Sequence, residues 1–223
     1  MTTLTTNHII HGDATHALAG LPAQCIDLII TDPPYLVNYR DRSGRKIAND
    51  DNPDAVLNAF PEMFRVLKDN SYCLLFCGWV EIAKFSAAWE QAGFRTIGHI
   101  VWQKSYASRK AHTEYRHESA WLLAKGFPAK PATPISDIRQ WEYSGNRYHP
   151  TEKAVSILTP LVRSFSKPGD IVLDPFSGSG STSVAAALEG RNYIGIELEK
   201  AYCDHAIKRL RGVSRFQHRK EAA

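Results

Sequence analysis

No run of about eighteen apolar residues occurs anywhere in the chain, and its amino terminus is polar and threonine-rich, so neither membrane insertion nor export is indicated. A cytoplasmic protein is the default expectation. Cysteine is scarce: the four residues, at positions 25, 73, 77 and 203, include no Cys-x-x-Cys pair and fall mostly in apolar runs. This argues against a disulfide framework and for reduced core thiols. His112 and His117, with Glu114 and Glu118 nearby, have no matching cluster elsewhere, so no metal is expected. No lysine follows the glycine-rich turn Gly178-Ser179-Gly180 as a phosphate-binding P-loop requires, which disfavours ATP hydrolysis. Internal repeats and low-complexity runs are also missing.

What remains is a chain of 223 residues, enough for one α/β domain that buries roughly 70% of its unfolded surface. Strand-like apolar runs alternate with longer amphipathic ones, which predicts a mostly parallel sheet with helices on both faces. Strands are expected at 7–11, 26–31, 72–77, 171–173 and 193–196. The run from Ile26 to Thr31 is too apolar to have a wet face. Helices are expected at 14–21, from Pro53 with a kink or split at Pro61, at 80–92 ending on Gly93, from Thr151 or Glu152 to before Pro168, at 181–188 and at 199–210. Phe94 to Trp102 and Glu118 to Ala124 read as two strands forming a short antiparallel edge. The stretch 127–148 is given no regular element, and the tail after Gly212 is expected to fray.

Two places concentrate chemistry. Asp32-Pro33-Pro34-Tyr35 directly follows the apolar run Asp27-Leu28-Ile29-Ile30-Thr31. Consecutive prolines stiffen the turn and supply no backbone donor, so the site is rich in acceptors. A carboxylate and a carbonyl that accept both N–H groups of a ring amine would draw its lone pair back onto nitrogen, and Tyr35 can stack on the ring face. The second place is Asp174-Pro175-Phe176-Ser177-Gly178-Ser179-Gly180-Ser181-Thr182, after a short apolar strand and before a helix. Glu197 stands at the end of the next strand, where a carboxylate takes ribose hydroxyls in nucleotide-binding folds. An acid at position 174 suits a zwitterionic amino-acid moiety better than a pyrophosphate.

On these two segments the sequence resembles the S-adenosylmethionine-dependent DNA amino-methyltransferases, in the permuted order of their β group, with the catalytic tetrapeptide ahead of the cofactor loop. The resemblance runs from about residue 8 to about residue 210. It implies a Rossmann-like fold, S-adenosylmethionine as cofactor and DNA as partner. It makes Asp32, Pro33, Pro34 and Tyr35 catalytic, with Asp32 and the Pro33 carbonyl holding the amine while it attacks the sulfonium methyl. It places Asp174, Phe176, Gly178 and Gly180 near the methionine end of the cofactor, counts Asp32 and Ser179 as cofactor-binding as well, and puts Glu197 on its ribose. Asp13, in Gly12-Asp13-Ala14, is either a contact to the cofactor adenine or a helix cap, or both. Thr151 and Lys153, in His149-Pro150-Thr151-Glu152-Lys153, are carried over as closing the methionine pocket; capping and a solvated lysine are the plain alternatives.

A base inside a duplex hides its amine, so the target must be flipped out at a cost of roughly a few kcal/mol. Two basic clusters are candidates for phosphate contacts. Arg40, Arg42, Arg45 and Lys46 lie in 38–51, a candidate lid; Lys104, Arg109 and Lys110 lie in 104–148, a candidate DNA-contacting segment. Solvated surface loops are the alternative for both. Trp79, Trp89, Trp102 and Trp121 read as core, and Trp141 as a potential stacking residue. Aspartate at position 32 favours adenine N6 over cytosine N4 by resemblance, and the compact chain implies a short recognition site or a homodimer.

Overall fold

The alternation of apolar runs with amphipathic segments produces, in chain order, β1 (His8–His11), α1 (Ala14–Ala19), β2 (Ile26–Thr31), α2 (Pro53–Leu57), α3 (Ala59–Val66), β3 (Leu67–Phe76), α4 (Ile82–Ala92), β4 (Arg95–Gln103), β5 (Arg109–Lys110) and β6 (Glu114–Tyr115). These are followed by β7 (His117–Lys125), β8 (Ile138–Gln140), α5 (Val155–Phe165), β9 (Ile171–Asp174), α6 (Ser181–Leu188), β10 (Asn192–Glu197) and α7 (Lys200–Glu221). The computed structural model describes residues 4–41, 44–110, 112–145 and 149–221, without the side chains of Arg109 and of residues 214–221.

Eight strands form one sheet in the order β1-β10-β9-β2-β3-β7-β4-β8, and β5 and β6 form a separate ribbon. The pairs from β1 across to β3 are parallel. β7 pairs antiparallel with both β3 and β4, two places in from the rim, and β8 pairs in parallel with β4 at the rim itself. β2 is wet on neither side because its faces are covered by different helices. Ile29 packs with Leu18, Phe60, Phe85 and Trp89 of α1, α3 and α4. Leu28 and Ile30 pack with Leu158, Leu161 and Ala185 of α5 and α6. Each such fully buried large side chain contributes about 1.5–3 kcal/mol. No helix among the described residues is long and apolar enough to cross a membrane.

Several expected boundaries moved. The predicted split at Pro61 occurs earlier, at Asn58, leaving Pro61 in the first turn of α3, where a missing N–H costs nothing. β3 begins at Leu67 rather than Tyr72. α5 starts at Val155, so Thr151 does not cap it, and it runs through Pro160 unbroken. The stretch 127–148 contains β8, and α7 continues past Gly212 to Glu221 instead of fraying there.

The chain leaves β2 toward β3 on one side and returns to β9 on the other, so the strand order reverses between two neighbouring parallel strands. In open α/β sheets ligands bind at the carboxyl ends of such a pair. Asp32 follows the last residue of β2, and Asp174 is the last residue of β9.

Candidate active site

A cleft of about 810 Å³ opens at these strand ends, within the range of small-molecule sites. Asp32, Pro33, Pro34 and Tyr35 line it together with Asp13, Thr151, Lys153, Asp174, Phe176, Gly178, Ser179 and Glu197. Two segments far apart in sequence thus meet in one space.

At the end of β2, the Tyr35 hydroxyl donates to Asp32 Oδ1 at 2.8 Å, and Lys153 Nζ pairs with Asp32 Oδ2. Lys153 is only 8% exposed, so it is no solvated lysine; its ammonium lies 5.1 Å from the Phe76 ring and 5.6 Å from the Tyr35 ring. Burial, reinforced by the Asp32 charge, raises the Tyr35 phenol well above its ordinary range, so Tyr35 remains a neutral donor. The Tyr35 ring lies against Gly78, where an added Cβ would sit 3.2 Å from it. Gly78 therefore supplies the space in which the ring is seated.

The turn after Tyr35 is strained. Leu36 adopts φ of 63°, a left-handed conformation uncommon for a bulky side chain, and Asn38 follows at 54°, where asparagine is better tolerated. Asp50, 2% exposed, holds it: its carboxylate accepts from Leu36 N at 2.8 Å and Tyr39 N at 2.5 Å, and its carbonyl from Asn38 N at 3.3 Å. Nothing in the spacing of Asp50 marked this clamp. Replacing it with Ala leaves strained backbone donors unpaired. Asp50→Ala should cost on the order of 3 kcal/mol of stability and lower single-turnover activity at least about tenfold. A lower melting temperature with an unchanged rate would make Asp50 a purely structural residue.

At the end of β9, Asp174 is 4% exposed and accepts at Oδ1 from Thr31 Oγ1 at 2.9 Å and Phe176 N at 3.1 Å. Burial nonetheless pushes its carboxyl up to about 7, against the opposing pull of Thr182, Thr31 and the Phe176 amide. Gly178 takes φ 51°, and its N–H donates to Glu197 Oε2 at 2.7 Å, while Glu199 N donates to Oε1 at 2.7 Å. Burial raises Glu197 as well, against those same backbone donors. Ser179 holds Arg209 Nη1 through its carbonyl at 2.7 Å and its hydroxyl at 2.9 Å. Asp13 caps α1, its Oδ1 accepting from His16 N at 3.0 Å, and also lines the cleft, so cap and cleft position coexist.

Gly180 departs from its expected place. It does not line the cleft, and a Cβ added there would meet Ala206 Cβ at 2.7 Å, so this glycine admits α7 rather than a ligand. Thr151 Oγ1 lies 3.2 Å from His149 Nδ1. His149, which the sequence reading passed over for its neighbours, stacks edge-on with Tyr202 at 4.5 Å and lines the cleft; burial, aided by Lys153 and Arg45, lowers it to about 4 and keeps it neutral near pH 7.

The basic clusters divide. Arg40, Arg45 and Lys46 are exposed, with Arg45 paired to Asp41 at 2.6 Å, and Arg42 lies outside the described residues. Tyr39, Ile47 and Asn49 of the same loop face the cleft. Lys110 is exposed and pairs with Glu114 at 2.8 Å; Arg109 sits in β5 with its side chain outside the description. Lys104 is not on the surface: it is 4% exposed, pairs with Glu118 and lies in the cleft wall, which removes it from phosphate contact. Trp79, expected in the core, is 60% exposed at the cleft, whereas Trp89 and Trp102 are buried.

Comparison with known proteins agrees with this geometry. The DNA methylase family N6_N4_Mtase matches residues 26–208. YubD of Escherichia coli (strain K12) is 50% identical over 209 residues, covering 94% of this chain and 92% of YubD. The type II methyltransferase M.HinfI of Haemophilus influenzae is 29% identical over 93% of this chain and 69% of its own length. The crystal structure of the M1.HpyAVI–SAM complex superposes with a TM-score of 0.71 at 27% identity, over 91% of this chain and 98% of that one. With Asp32-Pro33-Pro34-Tyr35 and the glycine turn brought into one cleft within the matched span, the chain belongs to the N6/N4 DNA methylase family.

Proposed function

We propose that this protein is an S-adenosylmethionine-dependent DNA methyltransferase that methylates the N6 amine of a flipped adenine. The whole chain acts as one domain, with 38–51 as a lid and 104–148 contacting DNA. The observation that carries the reading is the Asp32 carboxylate, facing the cleft between Tyr35 and Lys153 and one strand away from Asp174. Aspartate rather than serine at position 32 supports adenine over cytosine, through the resemblance of the tetrapeptide.

The donor set fits the cofactor. The buried carboxyl at the end of β9 and the half-buried one at the end of β10 suit an α-amino group and ribose hydroxyls, and Phe176 adds an apolar wall. When bound, S-adenosylmethionine supplies an electrophilic methyl group. Everything else is positioning by the chain. Asp32 has lone pairs beyond those used by Tyr35 and Lys153, and with the Pro33 carbonyl it accepts the amine N–H groups. Lys153 and the Tyr35 hydroxyl fix the carboxylate from both sides, so its orientation is set before a base enters. The Tyr35 ring, seated on Gly78, packs on the base face. Exposed Arg40 and Lys46 beside the cleft offset the cost of flipping by attracting the phosphate backbone.

Nucleoside mass spectrometry tests this directly, using purified protein, isotopically labelled S-adenosylmethionine, unmethylated duplex DNA and an RNA control. The expected product is labelled N6-methyladenine in DNA. Labelled N4-methylcytosine would keep the chemistry and correct the base, and label in RNA alone would overturn the DNA assignment.

A further inference from the structure

The cleft wall also carries a buried ion pair that the proposed reaction does not use. Lys104, at the end of β4, pairs with Glu118 at the start of β7 and donates to Ser108 Oγ at 2.6 Å. Its side chain is 5% exposed and that of Glu118 16%. Two of the three ammonium N–H groups thus have acceptors. For the third, the described residues offer aromatic faces: Tyr115 at 5.1 Å, Trp141 at 5.5 Å and Tyr106 at 5.9 Å. The Trp141 ring also lies 5.9 Å from Lys153 Nζ, which holds Asp32, so one indole is within 6 Å of both ammonium groups. Lys104, Ser108, Glu118, Tyr106, Tyr115 and Trp141 all line the same cleft as Asp32 and Tyr35.

A buried ion pair is a poor route to stability, since an apolar pair of similar volume usually does as well or better. A lysine kept in an aromatic enclosure with one donor unspent suits a ligand that brings an acceptor into that enclosure. We propose that Lys104, oriented by Glu118 and Ser108, is a base-recognition residue that donates its remaining N–H to an unprotonated ring nitrogen of the flipped base. This rests on the base-methylating reading above. Asp32 holds the exocyclic amine, and Lys104 reads a second polar feature of the same ring. A base that presents a ring N–H at that place would face donor against donor and be rejected, because a site built around a hydrogen bond discriminates strongly when its partner is missing. The aromatic residues around the ammonium supply the stacking surface that keeps the ring in plane.

The test pairs protein and substrate changes. Wild-type protein and the double variant Lys104→Met/Glu118→Gln, which leaves no buried charge unpaired, are assayed on duplexes carrying adenine, 1-deazaadenine, 3-deazaadenine or 7-deazaadenine at the target. For wild type, one deaza substitution should lower kcat/KM at least about tenfold, whereas the variant should methylate that analogue and adenine at equal rates. Lys104→Arg should retain part of the preference. Equal tolerance of all three analogues by wild type, or the same loss in the variant, would overturn the proposal while leaving methylation of adenine intact. Failure of wild type to methylate any base would instead defeat the function on which it rests. Circular dichroism melts of the double variant confirm that it is folded under assay conditions.

Discussion

Asp32→Asn should lower the single-turnover rate of methyl transfer on the order of a thousandfold while changing cofactor affinity no more than about threefold. The size follows from what the carboxylate does. Asparagine keeps the shape but replaces one acceptor oxygen with an NH₂ that faces the same N–H groups or the Lys153 ammonium. Losing a positioned polar partner of this kind costs roughly 10²–10³ in rate. The substitution also leaves Lys153, 8% exposed, opposite a neutral group, and a broken buried pair destabilises by about 3–5 kcal/mol. The double variant Asp32→Asn/Lys153→Met removes that penalty and should regain stability without regaining rate. Rapid-quench kinetics and calorimetric titration with the cofactor separate the two quantities. Parallel loss of rate and cofactor affinity would place Asp32 in the cofactor site and leave the amine without its acceptor.

The contrast between legible and illegible parts of this molecule follows from how local their physics is. β2 and β9 were readable because a strand covered on both faces must be apolar through its interior, and Leu28–Ile30 and Ile171–Leu173 are. The tetrapeptide and the glycine turn were readable because each packs its chemistry into neighbouring residues, and the fold has only to bring two compact motifs to adjacent strand ends. β8 gave no such signal. Ile138–Gln140 is a strand because β4 has an open edge that needs pairing, with Val101 N bonded to Asp137 O at 2.7 Å and Trp141 N to Gln103 O at 2.8 Å. The polar composition of 127–148 described its outer surface and said nothing of that edge. Asp50, Glu118 and Lys104 were missed or misassigned for the same reason: an acid clamping amides before it, and a lysine paired across two strands, are long-range facts. Basic residues near a supposed nucleic-acid site look alike in sequence, and burial alone distinguishes Lys104 from Arg40 and Lys46.

Asp174 should make cofactor binding pH-dependent. Buried among apolar strand residues, its carboxyl is raised from an ordinary 3.8 to about 7, so between those values the folded chain holds a proton that the unfolded chain has released. The sign follows: the contribution of this group to stability is full below about pH 4 and is lost as pH rises through 7, on the order of several kcal/mol. Asp174→Asn, which cannot ionise, should therefore melt higher than wild type at pH 8 in the absence of cofactor, with the gap closing toward pH 5. Cofactor binding should run the other way. A cationic α-amino group favours the ionised carboxyl, so wild-type affinity should rise from pH 6 to 8, and calorimetry at pH 6 in buffers of different ionisation enthalpy should register proton release. Asp174→Asn should bind the cofactor at least about tenfold more weakly at pH 8 and lose that pH dependence. An unchanged affinity would remove Asp174 from the cofactor site. A weaker affinity with the wild-type pH profile would assign the linked proton to Glu197, the other carboxyl raised by burial in the cleft. In either case a carboxyl whose ionised form is denied solvation by burial is stabilised by the charge of its ligand, so the stability it forgoes is returned as affinity only when a cation arrives.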